Sequence, residues 1–161
     1  MIYYIFKHQI FTVFLSLSHL TAITFSDRVT DYVGGMDADF KIYELNKGRS
    51  LVFEPKRKEV DRNFLVFLKD GKYHFNIKYA DDFSNKDIEI QEAKACDLFE
   101  LIEEKNEYQL FACPKSMLFV NKLKTPVRVN EQNIDGNSRV YLSKGPPIYL
   151  EGKMIYYGRP L

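Results

Sequence analysis

Asn63-Phe-Leu-Val-Phe-Leu-Lys69, then Asp70-Gly71, then Lys72-Tyr-His-Phe-Asn-Ile-Lys78 is the stretch on which the fold turns. Two runs of alternating side chains flank an Asp-Gly pair, and that pair favours a type I′ hairpin turn because both central positions need φ > 0. A two-residue turn there sets Leu68 opposite Tyr73, Val66 opposite Phe75 and Phe64 opposite Ile77, which makes one face wholly apolar. Leu65, Phe67, His74 and Asn76 point the other way. That mixed face suits a sheet packed on one side and partly covered, or met by a partner, on the other, with Phe67 and His74 as the candidate partner-binding residues.

Working upstream, Phe40-Lys-Ile-Tyr-Glu-Leu45 and Arg49-Ser-Leu-Val-Phe-Glu54 alternate in the same way around Asn46-Lys-Gly48 and predict two short strands. Lys56-Arg57-Lys58 is basic, but Glu54, Glu59 and Asp61 surround it, so a solvated connector is favoured over a phosphate site.

Downstream, Ile88-Glu-Ile90 begins another strand. The segment 93–104 fits either a helix, with Ala95, Leu98, Leu101 and Ile102 on one face, or half of a hairpin. Then come Ser116–Asn121, Pro126–Asn130, Arg139–Ser143, Pro147–Leu150 and Met154–Tyr157, separated by Gly, Pro and Asn turns. Pro126-Val-Arg-Val-Asn-Glu-Gln-Asn-Ile134 and Pro147-Ile-Tyr-Leu-Glu-Gly-Lys-Met-Ile155 echo each other weakly, as two copies of a strand-turn-strand unit or by coincidence between short β segments. Strand after strand at close spacing predicts a mainly β protein, an antiparallel sandwich or small barrel, possibly two small β lobes with one short helix.

Composition agrees. The 161 residues include 13 Phe and 11 Tyr, rings that pack well on a pleated surface, and 45% hydrophobic content rules out disorder. With 23 Lys+Arg against 22 Asp+Glu there is no long-range field of the kind that coats nucleic acid. The first 26 residues carry a single full charge, Lys7. A weak basic start, the apolar stretch Ile10–Leu17, and Thr24 and Ser26 at positions −3 and −1 of a cut before Asp27 fit a cleaved signal peptide, with an uncleaved anchor as the alternative. The domain plan is then a signal peptide at 1–26, an N-terminal β lobe at 27–82 and a C-terminal β lobe at 83–161. Export would place the protein in the periplasm, associated with the outer membrane, and would allow a disulfide.

The chain has two cysteines, Cys96 and Cys113. If Glu104-Lys105 were a two-residue turn, they would face each other at a non-hydrogen-bonded pair, where side chains are closest. A helix packed on the strand carrying Cys113 could close the same bridge, and two buried thiols are the remaining alternative. A bridge there would contribute about 3 kcal/mol in the chain-entropy model.

Little chemistry is visible. Beyond the leader His74 is alone, without a ligand-spaced partner or a triad frame. Asp81-Asp82 and Glu103-Glu104 read as solvated turn carboxylates and not as an acid/base dyad. Gly34-Gly35 lacks the strand and helix of a nucleotide loop. Aromatics interleaved with lysines favour core or partner contacts over base stacking. No catalytic residue, metal, cofactor or small-molecule substrate is therefore expected, nucleic acid is not expected as a partner, and any membrane association would be indirect.

Gly48-Arg49-Ser-Leu-Val-Phe-Glu-Pro-Lys-Arg57, followed by Asn63-Phe-Leu-Val-Phe67 and Asp70-Gly-Lys-Tyr-His-Phe-Asn-Ile77, resembles the N-terminal domain of the TrbG/CagX family. These are periplasmic subunits of the outer-membrane core of type IV secretion and conjugation machines. The family pattern is a strand into a basic-Pro-Lys segment, an Asn-Leu-x-Val strand, an Asp-Gly-Arg turn and a Tyr-x-Phe-x-Leu strand. Here Lys72 stands for the usual Arg, and Phe64 and Ile77 for Leu; the resemblance covers about Phe40 to Tyr79. It implies an exported, non-enzymatic assembly subunit whose partners are other envelope or secretion-complex subunits. A free periplasmic domain that binds a glycan or peptide through Tyr141, Tyr149, Tyr156 and Tyr157 is the alternative.

Overall fold

The computed structural model describes residues 1–81 and 84–158. It is a mainly β protein without a closed barrel, its sheets packed in sandwich-like layers. The chain divides into two compact units: Met1–Tyr3 with Ile10–Gln91, and Tyr4–Gln9 with Glu92–Leu161. The boundary expected between Asp82 and Phe83 lies outside the described residues. The described ones keep Asn85 and the Ile88-Glu-Ile90 strand with the first unit and change units at Gln91/Glu92.

The first unit carries β1 (Ile2–Ile5), β2 (Ile10–Leu15), β3 (Thr21–Thr24), β4 (Val29–Gly34), β5 (Phe40–Leu45), β6 (Ser50–Pro55), β7 (Asp61–Leu68), β8 (Gly71–Tyr79) and β9 (Asp87–Glu92). β1 begins in this unit and its last two residues belong to the other. One sheet runs β1-β9-β3-β6-β5 and the other β2-β8-β7-β4. Between them, the ring of Phe64 on β7 meets Phe53 of β6 edge-on with centroids 5.3 Å apart, and Phe25 meets Tyr73 at 5.9 Å. Phe53, Phe64 and Phe75 are fully buried. Edge-to-face contacts of this kind add to the area term because the positive rim of one ring meets the negative face of the next.

Most of the stretch read as a leader, Met1–Tyr3 and Ile10 onward, belongs to this unit. β3 is the third strand of five, paired antiparallel to β6 and parallel to β9. β2 runs parallel to β8 from Ile10↔His74 to Leu15↔Tyr79, and five of its six residues are buried. Parallel strands are covered on both faces and read as continuous apolar runs, which is why this segment lacks charge. Ser16, Ser18 and His19 interrupt it because they make a turn: the Ser16 and Ser18 hydroxyls lie 2.8 Å apart, and Ser16 and His19 form an isolated bridge. The sandwich's sheets are thus antiparallel and mixed, the parallel pairs being β2 with β8 and β3 with β9.

The 63–78 hairpin has the expected faces and a different register. Phe64, Val66, Leu68, Tyr73, Phe75 and Ile77 all point inward and are buried. The pairs, however, are Phe64↔Phe75, Val66↔Tyr73 and Leu68↔Gly71, a slip of two residues from the expected ones. The turn is centred on Lys69-Asp70, and Gly71 carries the unusual backbone at φ 150°. A slip by two preserves the pleat, so the core survives the error.

The second unit carries β10 (Glu100–Glu104), β11 (Tyr108–Cys113), β12 (Ser116–Asn121), β13 (Val127–Val129), β14 (Gln132–Ile134), β15 (Arg139–Leu142), β16 (Ile148–Leu150) and β17 (Lys153–Tyr156). Its sheets run β10-β11-β12-β15 and β14-β13-β16-β17. Leu110, Met117, Phe119 and Leu142 of the first pack with Val127, Val129, Ile134, Ile148 and Tyr156 of the second. The ambiguous segment 93–104 resolves as irregular chain leading into strand β10; among the described residues the helical turn is a 3₁₀ turn at Asn46–Gly48.

The weak echo is a real structural repeat. β13–β14 and β16–β17 are both hairpins, and their inner strands pair at Val129↔Leu150. Each turn opens on a left-handed residue, Asn130 at φ 51° and Glu151 at φ 50°. Asn130 N–H donates to Tyr149 O at 2.8 Å and Glu151 N–H to Arg128 O at 2.9 Å. In return Asn130 Oδ1 accepts from Tyr149 N–H at 2.9 Å and Glu151 Oε1 from Arg128 N–H at 2.6 Å. Asn130 with Tyr149 and the equivalent Glu151 with Arg128 make the same two bonds each, which coincidence between short strands does not explain.

Candidate functional site

In the first unit, β4 and β5 each end a sheet, and the short loop 35–39 joins them. Neither has a second strand partner among the described residues. Around these edges lie several of the chain's exposed large apolar side chains: Val33 at 58%, Met36 and Leu45 at 55% and Tyr43 at 37% of full exposure. The mouth between the edges is a pocket lined by Tyr32, Gly34, Gly35, Met36, Phe40 and Ile42, with Asp37, Lys41 and Lys56 on its rim. Unpaired, apolar edges are a liability in a monomer and a resource in an assembly.

The loop is held by a buried charge. Asp39 has no solvent exposure, and its carboxylate accepts from Arg57 Nε and Arg62 Nε, both at 2.7 Å. Burial alone would push the Asp39 carboxyl up, but the hydrogen bonds and charges of Arg62 and Arg57 outweigh it and hold the group below the ordinary carboxylate value. Arg57 is therefore structural, which corrects the expectation of a wholly solvated Lys56-Arg57-Lys58 connector. Lys58 lies over the Tyr79 ring at 5.7 Å.

Gly34 and Gly35 shape the mouth. A Cβ on Gly34 would sit 2.3 Å from the Asn63 backbone oxygen, and one on Gly35 2.3 Å from Phe40 Cζ. Their pairing serves a close turn, with φ at 128° and 71°.

Phe67 and His74 are half-buried on the outward face of β7–β8, with Phe67 opposite Lys72 and His74 opposite Leu65. They share a face as diagonal neighbours but do not line the pocket. The four C-terminal tyrosines differ in setting. Tyr156 is in the core, while Tyr141 stacks on Phe99 with centroids 5.9 Å apart. The Tyr149 phenol is pushed up to about 12 by burial, with Tyr157 adding to the effect.

Cys96 and Cys113 form a disulfide with Cα atoms 6.2 Å apart. It does not cross a ladder. Cys113 ends β11 opposite Ser116, and Cys96 lies in the irregular chain before β10, whose pairing with β11 closes around Asn106-Glu107 instead of Glu104-Lys105. Of the carboxylate pairs, Asp81 accepts from Tyr79 Oη at 2.5 Å, and Asp82 lies outside the described residues. The Glu103 side chain is only 7% exposed and pairs with Lys105 at 3.1 Å, whereas Glu104 pairs with Lys122 at 3.0 Å. Successive strand residues point to opposite faces, so these two cannot act on one substrate atom.

Sequence reasoning missed Asn85, a polar residue that is only 4% exposed. Its Oδ1 accepts from Phe14 N–H at 2.8 Å, its N–H donates to Phe14 O at 2.8 Å, and its Nδ2 donates to Tyr3 Oη at 2.7 Å. It covers the outer edge of β2. No local signal marks such a residue, because its partners are 71 and 82 positions away in sequence.

Among the described residues no group of three or more His, Cys, Asp or Glu side chains could hold a metal ion, and no helix is long and apolar enough to cross a membrane. In comparisons with known proteins, no family model and no curated protein matches this chain.

Proposed function

We propose that the protein is a non-enzymatic assembly subunit of an envelope-spanning complex, most like a type IV secretion or conjugal transfer core component, and that it works through protein–protein contacts. The observation that carries this reading is the pair of open edges β4 and β5 with Val33, Met36, Tyr43 and Leu45 exposed around them. An edge of this kind adds to a neighbouring sheet, since main-chain hydrogen bonds supply affinity and alternate side chains supply specificity. The TrbG/CagX-like pattern between Phe40 and Tyr79 supports the same assignment, because β5 to β8 lie within it.

The Cys96–Cys113 bridge is compatible with an oxidising compartment such as the periplasm. Residues 1–26 carry β1, β2 and β3, so this reading has the protein work with that segment in place. The outward Phe67 and His74 remain a secondary contact of the same assembly.

The test is native isolation. Extracted gently from envelopes and run on a native sizing column, the protein should elute in a complex with envelope subunits. Recovery as a lone monomer would contradict the assignment.

A further inference from the structure

We propose that the Cys96–Cys113 bridge is a thiol-exchange site that works as a switch in the second unit. A dithiol reductant opens it by attack at Cys96. The chain 94–99, held by the bridge as a strap on the outward face of the β10-β11-β12-β15 sheet, is then released while the core of the unit stays folded. The switch does not depend on the assembly reading above.

The two sulfurs are not equivalent. Cys113 ends β11 and is 5% exposed, whereas Cys96 is half-buried in irregular chain between the exposed Ala95 and Asp97. Thiol exchange needs access to the attacked sulfur, so the incoming thiolate reaches Cys96. Support for the leaving group is on the other side. Ser116 is fully buried, and its Oγ lies 3.1 Å from Cys113 Sγ. A bridged sulfur carries no hydrogen, so the hydroxyl is the donor. Lys144 Nζ donates to Cys113 O at 2.7 Å and brings a positive charge to the same residue. A donor and a cation stabilise a thiolate and ease its departure. Of the exposed charges beside the two cysteines, Lys94 and Lys115 are matched by Asp97 and Glu100. Burial and hydrogen bonding therefore choose the sulfur, and surface charge does not.

The exchange balances in two steps. The first thiolate of the reductant bonds to Cys96 Sγ, the Cys96–Cys113 bond breaks, and its electron pair leaves on Cys113 Sγ, which then takes a proton from water. The second thiolate attacks the reductant's own sulfur in that mixed disulfide and expels Cys96 as a thiolate, which is protonated in turn. The two cysteines are reduced and the dithiol is oxidised to its disulfide.

The strap has few other ties. Residues 94–99 form no strand or helix. Lys94 N–H donates to Lys115 O at 3.3 Å, Phe99 stacks on Tyr141 with centroids 5.9 Å apart, and Leu98 is 85% exposed. Phe99 precedes β10 at one edge of the sheet and Tyr141 lies on β15 at the other, so the stacked pair spans the outward face. That face carries the cross-strand row Leu101↔Phe111↔Leu118↔Tyr141. The core lies on the opposite face, with Leu110, Met117, Phe119 and Leu142. Among the described residues neither cysteine and no strap residue belongs to that core, so opening the bridge leaves it packed. Release withdraws Phe99 from Tyr141 and bares the row.

The experiment uses the full chain without denaturant. After brief treatment with 2-mercaptoethanol and a quench with N-ethylmaleimide, peptide mass mapping should find the added thiol on Cys96 and the maleimide on Cys113. In dithiothreitol, amides of 94–99 should exchange faster and the Tyr141 ring signals should shift, while the Leu110, Met117 and Phe119 amides stay as they were; reoxidation should reverse both changes. Cys96→Ser should show the released strap with no reductant present. Ser116→Ala should keep the oxidised spectrum and be reduced about five-fold more slowly. The mapping and exchange arms use the native sequence and decide the matter even where Ser116→Ala does not fold. The added thiol on Cys113, a bridge that opens only in denaturant, loss of the second unit's dispersed spectrum on reduction, a strap that exchanges no faster once reduced, or a folded Ser116→Ala reduced at the wild-type rate would each overturn the proposal.

Discussion

The two sides of the first unit's sandwich treat the same problem in opposite ways. On one side the outer edge of β2 is closed: Phe14 N–H and C=O both bond to Asn85, which also donates to Tyr3 and accepts from Thr21 at 2.5 Å. On the other side β4 and β5 have no outer partner among the described residues, and apolar side chains surround them. One buried asparagine, placed from a distant loop, occupies both outward backbone groups of Phe14 on that edge. Among the described residues no side chain caps the outer edge of β5, and the proposed docking reading places a partner there. The second unit has its own buried asparagine, Asn121, but uses it to tie a loop, donating to Thr125 O at 2.9 Å and Asp135 O at 3.0 Å.

The contrast can be broken most severely at its closed side. A chain starting at Asp27 loses β1, β2 and β3, including the middle strand of the five-stranded sheet, and is expected to lose cooperative unfolding of the first unit altogether. Circular dichroism melts and amide dispersion would read this. Retention of a native-like melt would mean that the segment is dispensable after all.

Next in size is Asn85→Ala. It strands the Phe14 N–H in a buried setting and removes the partner of Tyr3 Oη, at a cost of about 3 kcal/mol in chemical denaturation. A loss below about 0.5 kcal/mol, the level of an ordinary surface change, would show that water closes the edge as well.

Asp39→Asn should cost about 2 kcal/mol near neutral pH, because charge-assisted bonds from Arg57 and Arg62 become neutral ones. The sign with pH is fixed by the lowered carboxyl of Asp39. Its contribution is full above the unfolded carboxyl value of about 4 and disappears as pH falls through the lower folded value. Stability curves of wild type and variant should therefore converge in acid. Curves that stay parallel would assign the cost to packing.

Smallest is Leu45→Lys on the open edge, expected to change stability by less than about 0.5 kcal/mol, since the side chain is exposed and meets no core. A large loss would show that this edge is already structural.

Most of the architecture was legible from local pattern, because period-two alternation reports which face is buried whatever the register. That is why Phe64, Val66, Leu68, Tyr73, Phe75 and Ile77 were assigned inward although the turn sits on Lys69-Asp70. The same pattern found β5, β6, β12 and the repeated hairpins. The first 26 residues read two ways for a physical reason: an export signal and a covered parallel strand are both apolar and uncharged, and composition alone does not separate them. Asn85, Asp39 with its two arginines, and the open mouth are long-range features. Arg57 and Arg62 reach Asp39 across 18 and 23 residues, and no local spacing encodes that. The cysteine pairing was legible while its geometry was not, because the turn before β11 was placed at the wrong residues.

Amide hydrogen exchange compared between the chain alone and the proposed envelope assembly bears most directly on the open edge. In the isolated chain, outward amides of β5 should exchange quickly while the Phe14 amide, held by Asn85, stays slow. In the assembly, protection should be gained chiefly along β5 and at the mouth around Tyr32 and Met36, with Phe14 unchanged. Protection gained elsewhere with β5 still exchanging freely, or a β5 already slow in the isolated chain, would contradict the assignment of this edge as the docking side.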